Sequence, residues 1–307
     1  IPGCDRTVLL ENGEIDDPYY GRNMERSRWS EAKEWAFRKD FTLPAAWQDC
    51  RKLTLTFHGM GYKAHIFLND EWLGVREGMF TPWEFEVTDV IDRTGNNVLV
   101  LIFDPAPQAA ANHERVRPAE FAEFHHCQMS FGWDWARPLV PTGIFDHVEL
   151  KGTMAARIRD CHFRTVKKHV SLEIELGALE THDTVLSVKL APLGHHGKTV
   201  ELTRTVALCP GPDNRCKIDF EVDDARFWYP NGYGEQPLYE LALTVPGDEL
   251  VRQVGFRDLR MARNPDSPEG AYDLTFELNG QPVFARGLNW VPADMIFSRL
   301  DAALYER

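Results

Sequence analysis

Along most of this chain hydrophobic and polar residues alternate with a period of two, and runs with a helical period are scarce. Alternation sends successive side chains to opposite faces, so each run reads as a half-buried strand. Residues 35–41 alternate in this way, and so do 53–57, where Leu53, Leu55 and Phe57 share a face. Residues 64–68, the turn Asn69-Asp70-Glu71 and residues 72–75 read as a hairpin. Residues 83–87 alternate again, and the continuous apolar run 98–103 predicts a strand buried on both faces. Residues 148–150 close this series. Between residues 104 and 141 the pattern lapses into a long polar excursion carrying Trp and Phe residues. Loops of that length inside a domain are functional or disordered, and the aromatics favour function.

A second series follows Lys151-Gly152, with strands predicted near residues 156–164, 170–176, 185–190, 200–206, 216–222, 238–245 and 251–260. Seven short strands at this spacing predict an immunoglobulin-like sandwich. Residues 263–270 read as a linker. Leu274, Phe276 and Leu278 then alternate into Asn279-Gly280, a type I′ hairpin signal, and the chain returns through residues 283–285. After Gly287-Leu288-Asn289-Trp290 come a polar stretch and a helix start. The predicted class is therefore all-β, in three parts: a sandwich over 1–152, the immunoglobulin-like sandwich over 153–262, and the opening of a third domain over 263–307. Leu288, Trp290, Val291, Ile296 and Phe297 in that last part need cover, either from the second sandwich or from something further.

The length of 307 residues suits two or three domains with sizeable cores. With 47 Asp and Glu against 34 Lys and Arg, the net charge is −13. That field repels phosphate backbones and anionic lipid, so neither nucleic acid nor membrane is an expected partner. No apolar run approaches the roughly 20 residues of a membrane-spanning helix. The six cysteines contain no Cys-X-X-Cys pair, which argues against a zinc ribbon or disulfide framework. Cys209 and Cys216 flank a Pro-Gly-Pro-Asp-Asn turn and have the spacing to meet across a hairpin, with free thiols the favoured reading. The cysteine usage and the lack of an Asn-X-Ser/Thr acceptor make the cytoplasm the expected compartment. A secreted or periplasmic location is the alternative, since no leader is visible but a chain opening on Ile1 can have residues upstream.

The densest candidate chemistry is Ser130-Phe131-Gly132-Trp133-Asp134-Trp135. Two indoles flank a carboxylate, and Gly132 permits close backbone approach. Sugars present apolar C–H faces and hydroxyl rims, which an aromatic platform and a carboxylate acceptor complement. Trp133, Asp134 and Trp135 are therefore candidate substrate-binding residues. The alternative is that both indoles plug the core while Asp134 caps a turn. His125-His126-Cys127 predicts no metal site, because adjacent side chains of a strand point to opposite sides. His195-His196, between Gly194 and Gly197, reads as a solvated turn. The aromatic stretch 227–239 reads as an ordered inter-strand connection. Asn289 and Trp290 follow a strand, and in a (β/α)₈ barrel the strand ends face the active site. No G-X-S-X-G elbow, P-loop or dinucleotide fingerprint is present, and no cofactor is expected. Nothing in the pattern selects a pair of carboxylates as general acid and nucleophile.

The order of the motifs adds to this. Ile1-Pro2-Gly3, the stretch from Gly13 to Asn23, residues 35–41, Phe67-Leu68-Asn69 and residues 97–103 resemble β-mannosidases of glycoside hydrolase family 2. So do the Ser130–Trp135 motif, Thr142-Gly143-Ile144-Phe145, residues 227–239 and residues 285–294. The resemblance implies a jelly-roll, galactose-binding-like domain first, an immunoglobulin-like domain second, and then the start of a (β/α)₈ catalytic barrel. It implies a retaining exo-hydrolase acting on terminal β-mannosides, without a metal, through two glutamates lying beyond Arg307. This chain is thus expected to be an N-terminal piece without catalytic residues of its own, with the remainder of the barrel as its partner. Asp134 matches the family residue that holds hydroxyls of the terminal sugar, and Asn289 and Trp290 match its first-strand motif. The Ser130–Trp135 motif and the 230–239 stretch resemble the mannosidase branch of the family, which also contains exo-β-glucosaminidases, and action on β-glucosaminides or β-galactosides is the alternative. The chain departs from it at His125-His126 and at Ala136-Arg137.

Overall fold

A computed structural model describes residues 2–107, 124–264, 266–271 and 274–306. Much of the excursion predicted to be functional, residues 108–123, lies outside the described residues. The chain divides into two units: residues 1–152 with 290–307, and residues 153–289.

The first unit contains β1 (Gly3–Cys4), α1 (Asp5–Glu11), α2 (Asn23–Arg26), β2 (Trp35–Thr42), β3 (Lys52–Phe57), β4 (Met60–Gly61) and β5 (Lys63–Leu68). It continues with β6 (Glu71–Glu77), β7 (Trp83–Glu86), β8 (Asn96–Phe103), β9 (Gly143–Ile144) and β10 (Val148–Thr153). One sheet has the order β2-β8-β5-β6, a second β10-β3-β7, and a small third β1-β9-β4. Leu53, Leu55 and Phe57 join Ile66, Leu68, Phe85, Leu99, Leu101 and Phe103 in one core, as the alternation requires. Asn69 and Asp70 turn the β5–β6 hairpin at φ of 50° and 67°. The expectation for residues 98–103 needs correction. Leu99, Leu101 and Phe103 are buried, but Val98, Val100 and Ile102 do not share one fully covered face with them, so β8 has one core face and one partly covered face.

Two features of this unit escaped the periodicity. The helix α1 turns Asp5 and Arg6 inward beside Leu9, at 1% and 0% exposed, and leaves Glu11 exposed. It therefore carries no apolar stripe to read. Residues 263–307, read as one incipient domain, fall in two places. Residues 290–307 belong to the first unit, where Met295 and Ile296 pack with Cys4 and Leu139. A short turn at Phe297–Arg299 and α3 (Ala302–Tyr305) follow, the latter capped by the Asp301 carboxylate accepting from Leu304 N–H at 2.8 Å. Ile296 finds its cover within the first unit. Burial beside Leu139 answers its apolar demand.

In the second unit β11 (Ala156–Val166), β12 (His169–Ala178) and β15 (Gly211–Glu221) form one sheet. Across from them, β14 (Val200–Leu208), β13 (His182–Leu193), β16 (Leu238–Val245) and β17 (Asp248–Val254) form the other, in that order. The buried faces carry alternating residues such as Leu172, Ile174, Val188, Leu190, Leu241 and Leu243. The last predicted strand, residues 251–260, is in fact broken. Gly255 lies where a Cβ would meet Trp228 at 3.3 Å, and the chain resumes as β18 (Leu259–Arg263) in another sheet with β19 (Leu274–Leu278) and β20 (Gln281–Val283). Asn279 and Gly280 turn β19 into β20 at φ of 51° and 80°. Cys216 pairs in register with Ile174, and all six cysteines are free thiols. Of the His195-His196 pair, expected to be solvated, His196 is exposed and His195 half-buried. The His195 Nε2 lies 2.9 Å from the Leu238 carbonyl, and its ring meets Tyr239 edge-on.

Candidate functional site

The motif over Ser130–Trp135 folds as a tight reverse turn. Trp133 N–H donates to Ala136 O at 2.9 Å and Ala136 N–H returns to Trp133 O at 3.2 Å, leaving Asp134 and Trp135 at the tip. Gly132, at φ 114°, makes the approach to that turn, a conformation L side chains rarely adopt. Below it, Gly132 N–H donates to Met129 O at 3.0 Å and Leu139 N–H to Ser130 O at 2.8 Å. Phe131 is buried with Ala106 and Val140 and roots the loop in the unit. The indoles are not core plugs: Trp133 and Trp135 remain 46% and 44% exposed. Asp134 is exposed, and among the described residues its carboxylate accepts no hydrogen bond and forms no ion pair. Two exposed indoles and an uncommitted anionic acceptor thus sit on one turn. That arrangement suits a polyhydroxylated ligand with apolar C–H faces.

Charged groups that sequence reasoning did not find hold the limb returning from this turn. Arg6 donates to Asp5 Oδ2 at 2.6 Å and to Glu31 Oε1 at 2.9 Å, and all three side chains are buried. Asp5 Oδ2 also accepts from the Ser30 hydroxyl at 2.5 Å, and its Oδ1 from Thr142 N–H at 2.9 Å. Glu31 Oε1 accepts from Val140 N–H at 3.3 Å. Burial pushes the Glu31 carboxyl above its ordinary value, while Arg6 and Arg28 pull it back. Outside this cluster, Arg137 pairs with Glu25, which Arg22 also reaches at 2.6 Å. The Arg22 guanidinium holds Glu25 below the usual carboxylate range, helped by Arg137.

The other candidates are distributed differently. Trp290 is 67% exposed in the first unit and meets Tyr305 at 6.1 Å, but no ring contact or hydrogen bond links it to the turn among the described residues. Asn289 is exposed and belongs to the second unit. His126 is 4% exposed with Nδ1 3.1 Å from the Cys127 carbonyl, and burial lowers its pKa. Among the described residues no three His, Cys, Asp or Glu side chains gather as a metal-binding set. The one signal that pointed toward the buried cluster was Asp5-Arg6 in an otherwise apolar N-terminal stretch. Its partners lie 25 and 137 residues away in sequence.

Comparison with known proteins adds an independent line. Residues 1–146 match a family model described as glycosyl hydrolase 2 galactose-binding domain-like, and residues 156–257 one described as glycosyl hydrolases family 2. A protein named β-mannosidase B from Emericella nidulans is 27% identical over 100% of this chain and 38% of its own length. A β-mannosidase from Bos taurus is 26% identical over 99% of the chain and 37% of its own length. The crystal structure of a β-D-mannosidase from Dictyoglomus thermophilum superposes with a TM-score of 0.85 at 28% identity, covering 100% of this chain and 39% of that one. The chain spans less than two fifths of the length of these relatives.

Proposed function

Because this chain belongs to glycoside hydrolase family 2, we propose that it serves as the substrate-recognition part of an exo-β-mannosidase-like hydrolase. In this reading Asp134 accepts hydroxyl protons of a terminal β-mannoside, while Trp133 and Trp135 line the sugar beside it. Asn289 and Trp290, which match the family's first-strand motif, are the further candidates for contact with the sugar. The observation that carries the reading is the exposed turn at Trp133–Ala136, with its carboxylate free of protein partners among the described residues. The bond-breaking pair, two glutamates about 5–5.5 Å apart in a retaining enzyme, is assigned to a barrel that this chain does not supply. No metal or cofactor is needed for that chemistry. Support for a further domain comes from the β18–β19–β20 sheet. Leu259, Met261, Leu274 and Phe276 share one face by register and are 41–64% exposed. An apolar face of that kind marks a packing surface, and we assign it to the remainder of the barrel.

Hydrolysis of p-nitrophenyl β-D-mannoside by the complete open reading frame, with the 307-residue chain as paired control, tests this. Activity confined to the longer protein is expected. Asp134→Ala there should lower kcat/KM by roughly 10- to 150-fold, since each charge-assisted hydrogen bond contributes about 1.5–3 kcal/mol. An unchanged kcat/KM in a folded variant removes Asp134 from the site. Faster turnover of the β-glucosaminide or β-galactoside would reassign the sugar. The exposed indoles also favour a second reading, a stand-alone carbohydrate-binding module. It predicts inactivity of both proteins together with measurable mannose binding by the shorter chain.

A further inference from the structure

Two segments 275 residues apart in sequence meet against the loop that carries Asp134. The Tyr19 hydroxyl donates to Asp294 Oδ1 and accepts from Met295 N–H at 3.0 Å. Asp294 Oδ1 also accepts from Ile296 N–H at 2.8 Å, and its Oδ2 lies 3.1 Å from Arg299 Nε. The Arg299 guanidinium in turn sits 5.7 Å from the centre of the Tyr19 ring. Although Tyr19 is 43% exposed, partial desolvation of its hydroxyl and the neighbouring carboxylate raise its pKa, so the phenol keeps its proton and stays a donor. Asp294 itself is 9% exposed.

What this cluster holds is specific. Met295 and Ile296, directly after Asp294, are 7% and 1% exposed in a small core with Cys4 and Leu139, against which Met24, Met129 and Ala136 pack. Met129 and Leu139 stand on the two limbs of the Asp134 loop, and Ala136 closes its turn. The Tyr19 hydroxyl and the Asp294 carboxylate therefore lock the backbone of the two residues that wedge against both limbs. A reverse turn closed by two backbone hydrogen bonds has little rigidity of its own in water. A packed wedge supplies it, and a binding group held in place before the ligand arrives loses less freedom on binding.

We propose that Tyr19 and Asp294 are positioning residues for Asp134: their clasp seats Met295 and Ile296 against the loop and so fixes where the Asp134 carboxylate meets the sugar. The inference rests on the reading of Asp134 as a sugar-binding residue. It gives a role to two sequence motifs, Pro18-Tyr19-Tyr20 and Pro292-Ala293-Asp294, that no proposed contact with substrate explains.

The test is a mutant cycle in the complete open reading frame, with kcat and KM measured for p-nitrophenyl β-D-mannoside. Tyr19→Phe should lower kcat/KM about three- to thirtyfold. That penalty should vanish in an Asp134→Ala background, because a residue acting through Asp134 has nothing left to position. Asp294→Asn, which keeps an acceptor for the Tyr19 hydroxyl, should retain more activity than Asp294→Ala. A Tyr19→Phe penalty of equal size in both backgrounds would show a general structural role and overturn the proposal. So would an unchanged kcat/KM in Tyr19→Phe while Asp134→Ala is impaired. If Asp134→Ala is itself silent, the reading of the sugar site fails and the clasp as a positioning device falls with it. Should the Asp294 variants fail to fold, the Tyr19→Phe cycle, which removes a single oxygen, decides the matter.

Discussion

Arg6→Met should unfold the first unit at markedly lower denaturant, and more so at higher pH. Arg6 is fully buried and is the shared counter-ion of Asp5 and Glu31, whose side chains are 0% and 3% exposed. Methionine fills much of the volume but leaves the two carboxylates facing each other's field in a dry site. Removing one partner of a buried pair costs about 3–5 kcal/mol. The strain can be relieved by protonating a carboxyl, at about 1.4 kcal/mol for each unit between the working pH and its pKa. Glu31 already has its folded pKa raised above the unfolded value, chiefly by burial. A raised carboxyl means the native state holds its proton to higher pH, so the stability associated with it falls as pH rises through that window. Losing Arg6 raises it further, so the gap between variant and native protein should widen from about pH 5 to about pH 8. Urea unfolding followed by tryptophan fluorescence reads the correct unit, since every tryptophan but Trp228 lies in it. With a slope of about 2 kcal/mol/M, the midpoint should move down by roughly 1.5–2.5 M. A shift below about 0.5 M, or one that does not grow with pH, would refute the assignment of Arg6 as the ion that keeps these carboxylates buried.

Two further predictions use other parts of the first unit. Asp92 accepts from Thr94 N–H at 2.9 Å and Gly95 N–H at 2.8 Å, and these bonds hold its carboxyl below the ordinary value. Its contribution is therefore present above the unfolded pKa and lost as pH falls through the depressed folded one, so Asp92→Ala should lower Tm at about pH 7 and match the native protein near about pH 2. Gly132→Ala places a Cβ 3.3 Å from Pro138 Cγ at φ 114°. It should destabilise the loop by about 1–3 kcal/mol and raise KM for the mannoside, and an unaltered KM would mean the turn does not orient Asp134.

Much of the fold was legible because a strand's face is written at a period of two. Leu53, Leu55 and Phe57, or Leu241 and Leu243, announce a buried face with no knowledge of what covers it. Asn279-Gly280 likewise determines its own turn, since both residues tolerate positive φ. The Trp133-Asp134-Trp135 cluster was visible as chemistry, but exposure was not. Whether two indoles plug a core or stand in solvent depends on Phe131 and Val140 taking the buried positions instead. The break at Gly255 and the one-sided burial of β8 depend likewise on neighbours distant in sequence.

Local sequence therefore determined most strand positions and turn types, and made the Trp133-Asp134-Trp135 cluster visible, because each depends on backbone preference and side-chain chemistry within a few positions. Tertiary structure alone decided which charges are buried and which segments meet. Arg6 with Glu31, Asp5 with Thr142 and Tyr19 with Asp294 are separated by 25, 137 and 275 residues. A buried ion is tolerable only when its partner arrives from elsewhere in the chain, and no local pattern records that arrival.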